Sequence, residues 1–204
     1  MAKLPKPDLD VIASVPPITT ERTEVLWRVH YVLGDYPRMW NELRRFGPLP
    51  SARFDPWPTP TGAQDTGVAY FAFDVATCLA EMFQETRKIN LAEPGYQLSA
   101  FTPTRALSLL DLRGDYPIQI GASHTLNGGQ RNRCREWAVA LAAVHSGADG
   151  MLFQGITGKD CVVMWEPGTD AIADAPDFSR PLGDPSIRQT VATAAKQINY
   201  AYVS

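Results

Sequence analysis

Two spacings of apolar residues alternate along the chain and predict a mixture of strands and helices. Short β-prone apolar runs predict strands at residues 25–31, 67–73, 97–102, 106–112, 151–153 and 161–165. The last two runs are close enough to form a hairpin, with Gly155 and Gly158 in its turn. The sequence therefore predicts several strands, two of which are joined by a tight connection.

Helical spacing is clearest after the strand at 67–73. Apolar side chains there recur at i, i+3, i+4, i+7 and i+8 from Val75 to Phe83, and Asp74 precedes them as a helix N-cap. Further helices are predicted at residues 37–49, 130–146 and 185–200. Strands and helices intermix without a regular βαβ alternation, so we predict an α+β fold with a central β-structure and flanking helices.

Proline marks the two segments that are least regular. Residues 1–20 are proline-rich and lack periodicity, so we expect an extended N-terminal arm on the surface of one domain formed by residues 21–204. Residues 50–62 hold four prolines together with Arg, Phe, Asp and Trp. This composition predicts a rigid loop that contributes to a functional site.

Composition and charge exclude several classes of function. The 204 residues carry a net charge of −3, which argues against direct nucleic-acid binding, and no apolar run is long enough to span a membrane. Three widely spaced cysteines without a CxxC pair indicate reduced thiols in a cytoplasmic protein. The three histidines have no metal-ligand spacing, and no P-loop or Rossmann glycine motif occurs, so we expect no metal site.

Four polar residues stand in otherwise apolar or rigid surroundings. Arg28 lies inside an apolar strand, where it needs either an anionic ligand or a salt bridge, and Arg53 lies in the proline-rich loop. Tyr70 is in mid-strand, where a core tyrosine is the ordinary interpretation. Glu81 borders the apolar stripe of its predicted helix, with Glu85 one turn later as a rival carboxylate. Each signal is weak alone, and an ion pair or a solvated position would explain each of the charged residues.

The order of these segments resembles the RES domain family. The strand with Arg28 is followed by residues 47–55, 67–72 and 77–81 in the family's order and spacing. Later segments also resemble RES sequences, namely residues 111–114, 121–123, 135–138 and 149–153. The resemblance extends over residues 25–166.

The resemblance implies an ADP-ribosyltransferase-like fold. It also implies an enzyme that takes NAD⁺ as its substrate and needs no metal ion. Family members degrade NAD⁺ by hydrolysis or by phosphorolysis, with inorganic phosphate as co-substrate, and include toxins held by an Xre-type antitoxin. Carried over by position, Arg28 and Arg53 are the family's arginines, Tyr70 its strand tyrosine and Glu81 its glutamate. Arginine matches the NAD⁺ diphosphate, and a carboxylate stabilises the ribosyl cation that forms when nicotinamide leaves.

Further candidate binding residues accompany these four. Phe54 stands behind Tyr70 as a stacking ring, and His30 shares the side of its strand with Arg28, from which it would line the cleft. Gly155 occupies the family's serine position, so the chain has either lost a hydroxyl there or needs glycine for a positive φ. Ser123 or Thr157 are the alternative sources of that hydroxyl.

Three functions remain open from the sequence. The first is an NAD⁺-degrading toxin with an antitoxin partner. The second is a catalytically impaired RES-fold protein that binds NAD⁺ or a protein partner, which the glycine at position 155 favours. The third is ADP-ribosyl transfer to a protein, which uses the same residues with another acceptor. Homo-oligomer formation is left open.

Overall fold

β-Strands make up the centre of the molecule, and the computed structural model describes residues 4–203 of the chain. The strands are β1 (Thr19–Arg22), β2 (Leu26–Tyr31), β3 (Arg44–Gly47), β4 (Gly62–Ala72), β5 (Lys88–Asn90), β6 (Tyr96–Phe101), β7 (Leu107–Asp111), β8 (Gly150–Gln154), β9 (Asp160–Trp165), β10 (Phe178–Pro181) and β11 (Ala201–Val203). Nine of them form one sheet in the order β1-β7-β8-β9-β4-β2-β6-β10, with β3 paired to β4. Only β7 and β8 pair in parallel within it, and β11 pairs separately with β5.

The helices are α1 (Leu9–Ser14), α2 (Val75–Phe83), α3 (Tyr116–Gln119), α4 (Arg131–Val144) and α5 (Arg188–Gln197). α2 begins as the sequence predicts, because the Asp74 carboxylate accepts a hydrogen bond from the backbone N–H of Thr77 at 2.9 Å. Short 3₁₀ turns occupy residues 124–127, 166–171 and 185–187. α2, α4 and α5 all contribute side chains to the larger core.

The sheet separates two hydrophobic cores of unequal size. The larger core contains Leu79 of α2, Trp137 of α4 and Val163 of β9, and Tyr70 packs against its border. The smaller core on the other side contains Trp40, Phe71 and other residues. Because successive strand residues point to opposite faces, Tyr70 and Phe71 fall on different sides of the sheet. This alternation decides which predicted site residues can meet.

β2 and β4 diverge soon after they meet. They share one register pair, Trp27 with Ala72, whereas β2 pairs along its whole length with β6 and β4 pairs with β9. The segment 39–42 lies beside β2 here, since three of its backbone carbonyls accept hydrogen bonds from Arg28. Among the described residues, β2 and β4 are therefore paired only at Trp27 and Ala72.

The predicted fold class is confirmed, since a central sheet is flanked by helices in one α+β domain. The helix predicted over residues 37–49 is wrong. Residues 44–47 form β3 instead, with Arg44 opposite Val68 and Phe46 opposite Ala63 of β4. The hydrogen bonds of an adjacent strand outweigh the weak helical spacing of that segment.

The extended arm expected over residues 1–20 needs correction. α1 forms within it, capped by the Asp8 carboxylate, and it buries Ile12 completely. Residues 19–22 then pair with β7 as an edge strand of the main sheet. Trp137 of α4 also donates a hydrogen bond to the Pro5 carbonyl at 2.9 Å. The segment is thus part of the packed domain from residue 4, and residues 1–3 lie outside the described residues.

Within residues 4–203, none of the helices combines the length and the apolar character that crossing a bilayer would require.

Candidate active site

Glu81 and Gly155 are brought into direct contact. Glu81 lies near the end of α2, and its Oε1 accepts a hydrogen bond from the backbone N–H of Ile156 at 2.6 Å. A Cβ atom at Gly155 would lie 2.6 Å from that same Oε1 and 2.6 Å from Sγ of Cys161. A side chain at position 155 would therefore force these neighbouring side chains to shift, and the alternative of a positive φ is wrong because Gly158, not Gly155, holds the left-handed conformation in this turn.

The turn between β8 and β9 is fixed against α2. Gly155 donates its N–H to the Lys159 carbonyl at 2.8 Å, and Gly158 donates its N–H to the Gly155 carbonyl at 2.9 Å. The hydroxyls of Thr157 and Thr77 are 2.9 Å apart. Thr77 precedes Glu81 by four residues, so both side chains lie on the face of α2 that meets the turn. This arrangement holds the Glu81 carboxylate at a defined position and uses the Thr157 hydroxyl for packing.

A buried network lies at the other end of the site. Tyr70 donates its hydroxyl hydrogen to Oδ1 of Asp55 at 3.0 Å and accepts a hydrogen bond from the Phe54 N–H at 3.1 Å. Asp55 is completely buried, and Arg44 pairs with it at 2.6 Å. Burial and the neighbouring Asp55 charge raise the pKa of Tyr70 well above its ordinary value. The phenol therefore stays protonated as a donor and ties β4 to the proline-rich loop.

Tyr70 and the Glu81 region share one face of the sheet. Tyr70 is opposite Val163 of β9, and Ala72, two residues later, is opposite Cys161. Residues two apart on a strand face the same way, so Tyr70 and Cys161 are diagonal neighbours. Because Cys161 lies beside Glu81 and Gly155, the structure brings the predicted tyrosine and glutamate to one region.

Arg53 extends from the proline-rich loop toward the start of α4. Its Nη1 donates a hydrogen bond to the Gly129 carbonyl at 2.9 Å. Arg135 of α4 holds the same loop by donating hydrogen bonds to the carbonyls of Leu49, Pro50 and Ala52 at 3.1–3.3 Å. In residues 4–203 no carboxylate forms an ion pair with Arg53, so its charge is available to an anion.

Arg28 is turned toward the opposite face of the sheet. Its Nη1 donates to the carbonyls of Trp40 at 3.0 Å and Glu42 at 2.7 Å, and its guanidinium lies 5.6 Å above the Phe71 ring of the smaller core. Burial lowers the pKa of Arg28 to about 10, because desolvation disfavours the charged form. No acidic side chain in the described part of the chain pairs with it, so the salt bridge considered from sequence is absent there. The structure does not bring Arg28 to the carboxylate of Glu81.

His30 and Phe54 occupy interior positions that the sequence prediction placed in the cleft. His30 is 3% exposed, and its two ring nitrogens bond to the Arg38 carbonyl at 2.8 Å and the Ser99 hydroxyl at 2.9 Å. Phe54 is completely buried and meets Phe153 edge to face, with ring centroids 4.9 Å apart. Neither ring offers a free face to a ligand in this structure, so both residues act in packing.

Ser123 lies away from the turn that holds Glu81. Its hydroxyl is 2.6 Å from that of Thr125, in the 3₁₀ turn before α4. Asn127 of the same turn links this segment to β8, since its side-chain oxygen accepts a hydrogen bond from the Gln154 N–H at 3.1 Å. The described contacts thus give Ser123 no place beside Gly155.

Two residues of the site were missed by sequence reasoning. In the sequence, Asp55 stands out only as the aspartate of the proline-rich loop, and Arg44 only as a position within the helix predicted over residues 37–49. The sequence signal for Asp55 is its place between Phe54 and Pro56, in a loop whose backbone cannot form the hydrogen bonds of regular structure. Its partner Arg44 had no signal, because their contact depends on β3 pairing with β4.

The thiol next to Glu81 is neutral. Burial raises the pKa of Cys161, and the Glu81 charge raises it further. Burial likewise raises the pKa of Cys78 to about 12. Among residues 4–203, no group of three His, Cys, Asp or Glu side chains is arranged to hold a metal ion. The polar groups that the structure places on this side of the sheet include the Glu81 carboxylate, the Arg53 guanidinium and the backbone N–H of Ile156.

Comparison with models of known protein families assigns the chain to a family. A family model for the RES domain matches residues 25–183. The chain belongs to the RES domain family. Glu81, Gly155, Tyr70 and Arg53 all lie within the matched RES segment. A search of curated proteins found no match to the chain.

The chain is also similar in structure to a chain of a solved complex. The chain is similar to one chain in the crystal structure of the M. tuberculosis MbcT–MbcA toxin–antitoxin complex, with a TM-score of 0.56 and 19% sequence identity. The similarity covers 91% of this RES chain and 96% of that chain. At this identity the likeness establishes a shared fold.

Proposed function

We propose that this RES domain cleaves the nicotinamide N-glycosidic bond of NAD⁺ and acts as the toxin of a toxin–antitoxin pair. The observation that carries the proposal is the placement of Glu81. One carboxylate oxygen is anchored by the Ile156 N–H, while Oε2 makes no hydrogen bond to any described residue. A carboxylate held by one oxygen and open at the other is suited to a substrate that develops positive charge.

The reaction requires little from the protein beyond charge and position. The bond between the ribose anomeric carbon and the nicotinamide nitrogen breaks, and its electron pair neutralises the ring nitrogen. The ribosyl group then carries the positive charge, which Glu81 stabilises until a phosphate oxygen or a water oxygen bonds to the anomeric carbon, and an attacking water releases one proton to solvent. Cytoplasmic NAD⁺ and inorganic phosphate are the proposed reactants.

Arg53 is the proposed cation for the diphosphate and for an attacking phosphate. Among the described residues its guanidinium has one hydrogen bond, to the Gly129 carbonyl, and no ion pair with a carboxylate, so it retains donors for phosphate oxygens. Arg28, the other arginine that the resemblance implies, lies on the opposite face of the sheet with its Nη1 bonded to backbone carbonyls, so this proposal gives it no phosphate contact.

Tyr70 is the aromatic residue of this face that remains for contact with a base. It is half-buried, whereas Phe54 is fully enclosed. Its hydroxyl is fixed by Asp55, so its ring is held in one orientation. A ring fixed in this way loses little conformational entropy when it contacts nicotinamide or adenine.

Consumption of NAD⁺ by the purified protein, with and without inorganic phosphate, tests this proposal. Product masses separate phosphorolysis, hydrolysis and transfer to a protein side chain. We expect Glu81→Gln to reduce turnover by about 10²-fold or more, the loss typical of removing one charge-stabilising group. Glu85→Gln is the matched control and should retain activity, because Glu85 lies exposed beyond the end of α2. Equal turnover by Glu81→Gln and the wild type rejects the assignment.

Gly155 supports a second candidate, a RES domain that binds NAD⁺ or an antitoxin without turnover. The resemblance places a serine hydroxyl at this position, and a Cβ there would lie only 2.6 Å from Oε1 of Glu81 and from Sγ of Cys161. Binding of NAD⁺ measured by calorimetry, without any consumption, would favour this candidate. An Xre-type antitoxin is the proposed partner in either case, because the structurally similar chain comes from a toxin–antitoxin complex.

A further inference from the structure

A separate cavity lies on the other side of the turn that holds Glu81. It has a volume of about 340 Å³ and lies between α2, residues 156–159 and the C-terminal end of α5. The polar residues that line it are Thr77, Arg87, Thr157, Lys159, Gln197 and Asn199. Its size is at the small end of the range of ligand pockets, roughly 300–1,000 Å³.

Two basic side chains line this cavity, one of which is paired with a carboxylate outside it. Arg87 and Lys159 both line it, and none of its described lining residues carries a carboxylate. Lys159 is 3.4 Å from the Asp74 carboxylate outside the cavity, whereas Arg87 has no ion pair or side-chain hydrogen bond within residues 4–203. The Arg87 guanidinium instead lies 5.5 Å above the Tyr200 ring, which fixes it at the wall. A guanidinium held in this way is a good partner for a phosphate group.

The remaining polar groups suit hydroxyl-bearing ligands. The side-chain amides of Gln197 and Asn199 make no hydrogen bond to described residues, so each offers both donors and an acceptor. The paired hydroxyls of Thr77 and Thr157 add further acceptor positions on the opposite wall. Ala76, Ala80 and Ile156 leave the rest of the wall apolar and small.

We propose that this cavity is a second binding site, and that it takes a small sugar phosphate. The phosphate contacts Arg87 and Lys159, and the sugar hydroxyls contact the two amides. The site adjoins the Glu81 site, because Ile156 lines the cavity while its N–H holds the Glu81 carboxylate. A ligand here contacts the same turn as Glu81 without occupying the position of the substrate.

Calorimetric titration of the full chain with ribose 5-phosphate, ribose and inorganic phosphate tests the site. We expect ribose 5-phosphate to bind more tightly than either fragment. Arg87→Gln should weaken its binding about tenfold or more, as expected when hydrogen bonds to a charged group are lost. Arg188→Gln is the matched control and should bind like the wild type, since Arg188 is exposed and does not line the cavity.

Three results would overturn the proposal. One is absence of ribose 5-phosphate binding, and another is equally tight binding by inorganic phosphate alone, which would remove the role of the sugar. The third is binding that survives in Arg87→Gln but is lost in Glu81→Gln, which would place the ligand in the candidate active site. Retained binding in Glu81→Gln supports a separate site. The binding measurement does not depend on NAD⁺ turnover, so it stands or fails independently of the proposed function.

Discussion

Introducing a side chain at Gly155 is the most direct perturbation of the candidate active site. Gly155→Ser restores the hydroxyl that the family resemblance places at this position. Its Cβ, however, would lie 2.6 Å from both Oε1 of Glu81 and Sγ of Cys161. Both separations are far below ordinary van der Waals contact, so a side chain here requires neighbouring groups to shift.

The two neighbours differ in their freedom to move. Cys161 is 2% exposed within β9, so its sulfur is confined by the core. Glu81 is half-buried and has a longer side chain, so we expect its carboxylate to move and to lose its hydrogen bond to Ile156. Overpacking of this kind destabilises proteins by about 1–3 kcal/mol. We therefore expect Gly155→Ser to lower both stability and NAD⁺ turnover.

Thermal unfolding and NAD⁺ consumption measure the two effects. Each kcal/mol of lost stability lowers the Tm by about 2–4 °C in a domain of this size. Gly147→Ser is the matched control, because a Cβ at Gly147 would meet nothing within 4 Å. Adding Cys161→Ala removes one of the two clashes, so the double variant should lose less stability than the sum of the single variants.

The steric argument has a clear contrary outcome. It fails if Gly155→Ser keeps the wild-type Tm within the change seen for Gly147→Ser. A gain in turnover at unchanged stability would instead show that the serine hydroxyl fits and that the chain is a partly degenerate enzyme. Additive losses in the double variant would exclude Cys161 as the source of the crowding.

Two further predictions concern buried polar groups. Arg44→Met should lower the free energy of unfolding by about 3–5 kcal/mol, because it leaves the fully buried Asp55 carboxylate without its cation. Arg45→Met, at an exposed position, is the control. The prediction is contradicted if denaturant unfolding shows no greater loss of stability for Arg44→Met than for Arg45→Met. Burial lowers the pKa of His30, so its neutral form is favoured by folding, and stability is full above the unfolded pKa of about 6.5 and decreases as pH falls below it. Unfolding measured from pH 7.5 to 5.5 should show a smaller loss of stability for His30→Gln than for the wild type. Burial also lowers the pKa of His145, but His145 is present in both proteins and affects both equally. Identical pH slopes would therefore refute this role of His30.

Elements with strong local signals could be predicted from the amino-acid sequence. β2, β4, α2, α4 and the β8–β9 hairpin follow from their apolar spacing, and Asp74 caps α2 as predicted. The α+β class follows from their order. Family resemblance added Glu81 and Gly155 as members of one site, although 74 positions separate them in the sequence.

The face of the sheet that each polar residue occupies depends on how distant segments pack together. Arg28 and Tyr70 have similar apolar surroundings in sequence, but Arg28 bonds to the carbonyls of residues 39–42 and Tyr70 to Asp55 on the opposite side of the sheet. Arg44 became a strand residue and the partner of Asp55 because β3 pairs with β4. The reason is physical: local spacing fixes the period of a segment, whereas the pairing of distant strands fixes its direction and neighbours. The close approach of Gly155 to Glu81 and Cys161 likewise exists only once α2 packs against the hairpin.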